Sequence, residues 1–182
     1  MKELLVATVL ALSPAQAAGS PAAHAPDSPV QAAAPQAGGA AGKPREVKVY
    51  FSKGNGIPGK VVAVTRRAPG QGVARFAVQQ LIAGPTKAER RRGLHSELTG
   101  NLRGRSSCGA DFTVAIRKGV ATLRFCRTVV SDGIGGDARA LYSIDRTLKQ
   151  FAGVRDVISL DKKGRCLFDQ SGTGKACLTA HE

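Results

Sequence analysis

Residues 135–151 read Gly135-Gly136-Asp137-Ala138-Arg139-Ala140-Leu141-Tyr142-Ser143-Ile144-Asp145-Arg146-Thr147-Leu148-Lys149-Gln150-Phe151. Leu141, Ile144, Leu148 and Phe151 recur every three or four residues, while Arg139, Asp145, Arg146 and Lys149 fall on other faces. That spacing predicts a helix that lays one apolar stripe on a core. Gly153 stops the helix, and Val154 to Leu160 then reads as a strand. The turn formers Asp161-Lys162-Lys163-Gly164 send the chain back toward Cys166.

Working upstream, Phe112 to Ile116 and Ala121 to Phe125 each alternate apolar with small or polar residues around the turn Arg117-Lys118-Gly119, the pattern of a β-hairpin. Farther back, Val73, Phe76, Ala77 and Leu81 follow helical spacing from Gly72 until Gly84-Pro85 stops it. Thr86-Lys87-Ala88-Glu89 is a capping box, so a second, short helix starts at once and carries Arg90, Arg91 and Arg92 up to Gly93. Two strands come first, one around Val47, Val49 and Phe51 and one from Val61 to Arg67, separated by a glycine-rich stretch. The order β-β-α-α-β-β-α-β predicts an α+β fold, a single sheet with helices packed on one face.

The ends of the chain have another character. Lys2, an apolar run from Leu4 to Leu12 and the small-residue pattern Ala15-Gln16-Ala17 make residues 1–17 a secretory signal peptide, too short to span a bilayer. Residues 18–44 are nearly all Ala, Pro, Gly, Gln and Ser, which predicts a disordered tether. Residues 45–182 are then one domain, secreted or extracytoplasmic, with no transmembrane span after signal cleavage.

Export makes an oxidised state natural for the four cysteines. Folding the hairpin brings Cys108 beside Cys126, and the turn formers Gln170 to Gly174 bring Cys166 to Cys177, giving a disulfide-bonded C-terminal hairpin. Structural zinc is the competing use, but it needs closely spaced C-x₂₋₄-C pairs, and none occurs.

The remaining motifs carry no catalytic signature. Gly54-x-Gly56-x-x-Gly59 matches a dinucleotide fingerprint by letter only, because a strand rather than a helix follows it. Gly172-Thr173-Gly174-Lys175 lacks the leading glycine and the trailing hydroxyl residue of a phosphate loop. Of the three histidines His24 lies in the tether, His181 is penultimate, and only His95 is inside the domain. The expectation is a nonenzymatic chain with no cofactor and no metal.

Charge is the remaining signal: 27 basic against 13 acidic residues give a net +14. The densest stretch runs from Lys87 to Arg105 and offers Arg90, Arg91, Arg92, Arg103 and Arg105 as a binding face for an anionic cell-wall polymer, acidic lipid headgroups or an acidic envelope protein. A merely solvated helix face is the alternative use of the same charges. Nucleic acid fits poorly, since the chain has no Trp, two Tyr and six Phe, and no recognisable reading motif.

Specific segments also carry a likeness. Val47 to Phe51, Val64 to Arg67, Ala77 to Glu89 with its Leu81-x-x-Gly84-Pro85-Thr86 core, Gly119 to Leu123, and Ile144 to Phe151 together resemble the GerMN domain of sporulation and germination proteins. The resemblance runs from Arg45 to about Leu160. It implies a noncatalytic domain of exported or membrane-anchored bacterial envelope proteins, with a fold similar to the ring-building motif. On that analogy, self-association as an oligomer or ring subunit of an envelope or sporulation complex is the second expectation.

Overall fold

A computed structural model describes residues 43–56 and 59–178. The expected signal peptide and nearly all of the expected tether lie outside the described residues. Strand β1 (Arg45–Lys53) pairs antiparallel with β2 (Lys60–Ala68), placing Val49 opposite Val64 and Phe51 opposite Val62. Helix α1 (Val73–Ala83) buries Ala77, Val78 and Leu81, the stripe its spacing implies. Helix α2 (Lys87–Arg91) begins at the expected capping box: Thr86 Oγ1 accepts from Glu89 N–H, and the Glu89 carboxylate accepts from Thr86 N–H.

Two-residue strands β3 (Leu94–His95) and β4 (Leu102–Arg103) follow, then the hairpin β5 (Phe112–Arg117) and β6 (Val120–Phe125). Its turn needs φ above zero at both central positions, Lys118 at 49° and Gly119 at 84°. After β7 (Thr128–Val129), helix α3 (Gly133–Leu148) leads to β8 (Asp156–Leu160). The α3 helix starts two residues before the expected Gly135, because the Asp137 carboxylate accepts Ser131 Oγ–H and Asp132 N–H and so organises an earlier first turn. Gly136 is obligatory there: a Cβ would lie 2.6 Å from Asp132 Cβ.

The expected single sheet is corrected to three small ones, ordered β2-β1-β3, β4-β7 and β5-β6-β8, with β8 running parallel to β6. The reason lies on the inner edge of β1. Beyond Ser52 and Lys53, which pair with β3, that edge is occupied by side chains of the α3 segment. Gln150 Oε1 accepts Lys48 N–H at 2.7 Å, Gln150 Nε2 donates to Lys48 C=O, and Thr147 Oγ1 accepts Tyr50 N–H at 3.1 Å. With the Lys48 backbone and the Tyr50 N–H satisfied by side chains, this stretch of β1 is closed to a strand of the β5-β6-β8 sheet.

Helices α1 and α3 both pack on β1, and α3 also reaches β8, so one core joins the sheets. Phe51, Val78, Leu81, Leu123, Phe125, Ile144 and Leu148 are fully buried in it. Each such side chain contributes roughly 1.5 to 3 kcal/mol of transfer free energy. Disulfides join Cys108 to Cys126 and Cys166 to Cys177. The segment after β8 folds back through the bridge between Leu160 and Cys166, and Leu167 N–H donates to Ser159 C=O at 2.8 Å.

Candidate anion-binding surface

Helix α2 carries one acid among its cations, and that acid is already engaged. Glu89 faces inward and is met by the Arg66 fork, Nη1 to Oε1 at 2.9 Å and Nη2 to Oε2 at 2.6 Å. The Arg66 hydrogen bonds hold its carboxyl down at about 2 against the opposing effect of burial, and the Thr86 N–H adds to them. Arg66 is braced in turn by the Phe51 ring, 5.6 Å from its guanidinium carbon. Glu89 therefore cannot neutralise its neighbours. Arg90, Arg91 and Arg92 are exposed, and Arg90 donates to Pro85 C=O.

Arg103 and Arg105 are also exposed but belong to a different segment. Arg103 lies on β4 opposite Thr128, its guanidinium turned onto Gly100 C=O, and Arg105 follows in the loop. Arg127 Nε donates to Gly104 C=O at 2.9 Å and Arg127 Nη1 reaches Asp111 at 3.2 Å, which ties this loop to the strand leaving β6. The five arginines are thus held on two separate supports, α2 and the β4 loop. Arg90 is anchored at Pro85 and Arg103 at Gly100, each within its own segment.

Reading the sequence missed a buried polar cluster. Glu97, its side chain 2% exposed, accepts Arg139 Nε at 2.6 Å and Ser52 Oγ–H at 2.9 Å, and lies 3.3 Å from His95 Nε2. Ser143 Oγ lies 3.4 Å from Ser52 Oγ, and Arg139 Nη1 donates to Asn55 C=O at 3.2 Å. The cluster ties β1, the β3 region, α3 and the loop before β2 together. His95 contacts the carboxylate rather than a serine, and Ser52 is 0% exposed, so neither hydroxyl is presented to a substrate. Among the described residues no group of three His, Cys, Asp or Glu side chains could hold a metal, and no helix is long and apolar enough to cross a membrane.

The profile of the Germane family, described as sporulation and spore germination, matches residues 48–159. The chain belongs to that family. Among solved structures it is similar to the tandem GerMN domains of the sporulation protein GerM from Bacillus subtilis, at 22% identity and a TM-score of 0.48, over 69% of this chain and 44% of that one. It is also similar to the first GerMN domain of that protein, at 20% identity and TM-score 0.41, over 65% and 81% of the two chains. A putative lipoprotein from Clostridium perfringens matches at 16% identity and TM-score 0.40, over 68% and 80%. The chain spans less than half the length of the tandem GerM chain. No curated protein matches it.

Proposed function

We propose that this chain is an exported, noncatalytic domain of the bacterial cell envelope that acts by binding or assembly, meeting an anionic wall polymer or an acidic envelope partner through a basic face. The observation that carries the reading is the uncompensated charge on α2: its only acid is engaged by Arg66, leaving Arg90, Arg91 and Arg92 outward. Clustered cations of this kind raise the local potential by several kT and draw polyanions. Two disulfides in a Germane domain support an oxidising compartment.

The test is cosedimentation with purified cell walls at low salt. Neutralising Arg90, Arg91, Arg92, Arg103 and Arg105 together removes most of the binding on this reading, and added salt weakens it because exposed charges are screened over about 10 Å at 0.1 M. Unchanged binding by the neutralised variant overturns the patch as a site. Export is tested separately by mass spectrometry of the native protein, which is expected to begin at Ala18.

Assembly through a sheet edge is the alternative, favoured by β2: it is nine residues long and, among the described residues, has no strand on its outer side. Light scattering that shows mass rising with concentration supports it, and a constant monomer mass eliminates it.

A further inference from the structure

Charge outside the arginine-rich segment gathers where the chain leaves β8. A cleft of about 390 Å³ is lined by Thr128, Val129, Asp161, Lys162, Lys163 and Arg165. Its acid is fully engaged within its own loop: the Asp161 carboxylate accepts Lys163 N–H at 2.8 Å, Arg165 N–H at 3.0 Å, and Arg165 Nε and Nη2 at 3.1 and 2.9 Å. Asp161 N–H donates to Arg165 C=O at 2.8 Å and Gly164 N–H to Asp161 C=O at 3.0 Å, which closes the turn. Burial raises the Asp161 carboxyl, and the bonds from Arg165 and Lys163 outweigh it, leaving the group ionised and below its ordinary range.

One acid thus balances one arginine, and Lys162 and Lys163 remain without an ion pair among the described residues. A further cation stands against them: Arg124 Nη2 donates to Lys162 C=O at 2.8 Å, bracing the loop from the neighbouring strand. Across the ribbon, Thr128 pairs with Arg103, so one of the arginines of the basic segment borders this cleft through its backbone. The cleft is therefore walled by a hydrogen-bonded turn and lined by two lysines and a threonine, with Arg165 in its wall and Arg124 bracing the turn.

We propose that this cleft is a phosphate-binding site that seats one phosphodiester unit of a wall polymer, with Lys162 and Lys163 as the contacting cations and Arg124 as the residue that positions them. The proposal rests on the polymer-binding reading above and adds a phosphate subsite to it, bordered by Arg103. Phosphate suits the cleft better than carboxylate because a phosphodiester offers its charge and several acceptor oxygens over a tetrahedral volume, which two adjacent lysines with rotatable donors can meet from different sides. The cavity that continues past Arg165 contains Asp169, whose carboxylate is held by Ser171 and Thr173. Like charge there confines the anion to the lysine side.

The experiment measures binding of linear polyphosphate and of polyglutamate to the full chain, disulfides intact, at low salt. Three variants are compared with wild type: Lys162→Ser with Lys163→Ser, the charge-keeping Lys162→Arg with Lys163→Arg, and Arg90→Gln with Arg91→Gln and Arg92→Gln. The serine pair is expected to weaken polyphosphate binding about tenfold or more, since both contacting cations are lost. The arginine pair is expected to stay within about threefold of wild type, the α2 triple variant, which removes part of the basic face, to weaken polyphosphate and polyglutamate alike, and polyglutamate to bind about tenfold more weakly than polyphosphate. Wild-type affinity in the serine pair overturns the cleft. Loss confined to the α2 variant overturns it too, while leaving the polymer-binding reading in place. Equal binding of polyglutamate overturns phosphate selection, and failure of wild type to bind either polyphosphate or cell walls sinks both readings.

Discussion

Gln150 meets Lys48 as a neighbouring strand would, its amide oxygen accepting the Lys48 N–H at 2.7 Å and its amide nitrogen donating to the Lys48 carbonyl. One turn earlier Thr147, 0% exposed, does the same for Tyr50 N–H. The two bonds should differ in worth. Water can replace the Gln150 amide at the exposed Lys48, so Gln150→Ala is expected to cost about 1 kcal/mol. Thr147→Val leaves the Tyr50 amide without a partner in the interior and should cost about 2 kcal/mol or more. Urea unfolding of the two variants checks the order.

Stability should also fall in acid through Glu89. Held at about 2 by the Arg66 fork, its carboxyl binds a proton at lower pH in the folded than in the unfolded chain. The stabilisation is therefore complete above about pH 4.5 and is lost as pH falls toward 2, a loss of up to roughly 3 kcal/mol. Glu89→Gln should be less stable at neutral pH and lack this part of the acid dependence. Urea midpoints at about pH 6 and about pH 3 test it, and parallel declines in both proteins would count against the linkage.

Much of this fold was legible because its signals are local. The capping box of Thr86 and Glu89, the turn at Lys118 and Gly119, and the spacing of Leu141, Ile144 and Leu148 each act within a few residues. The break into three sheets was not legible, since it depends on Gln150 reaching a backbone 102 positions away. Strands of two residues, such as β3 and β4, are too short to show a period. The same distinction governs the sites. Arg90 to Arg92 announce themselves as a run, whereas Glu97 and Arg139 meet across 42 positions and Arg124 and Lys162 across 38.

The buried cluster makes a sharper prediction than the surface charges. Glu97→Ala strands the Arg139 guanidinium in the interior and should cost about 3 to 5 kcal/mol. Replacing both partners, Glu97→Leu with Arg139→Met, should cost markedly less than the single change, because no charge is left behind. Gly59→Ala belongs to the same set, since a Cβ there would lie 2.5 Å from Arg139 Cδ. It is expected to cost about 1 to 3 kcal/mol by overpacking. Thermal melts of the four proteins, wild type included, decide between these ranks.

Removing either disulfide should cost about 3 kcal/mol on the chain-entropy relation, given separations of 18 and 11 residues. Paired alanine variants, Cys108→Ala with Cys126→Ala and Cys166→Ala with Cys177→Ala, measure each in turn. The second pair should also loosen the segment packed on Ser159, seen as faster amide exchange at Leu167, while the β5-β6 hairpin stays protected.

The two sulfur bridges are consecutive along the chain, neither nested nor interleaved. For a polypeptide that crosses a membrane as an unfolded thread, this arrangement has a kinetic consequence. If this chain is exported in that way, as proposed above, Cys108 and Cys126 are both outside before Cys166 emerges, and the first cysteine to find a partner finds its native one. The last pair then has no other free thiol to attack. Oxidative maturation by this route needs a thiol oxidase and makes no demand on a disulfide isomerase.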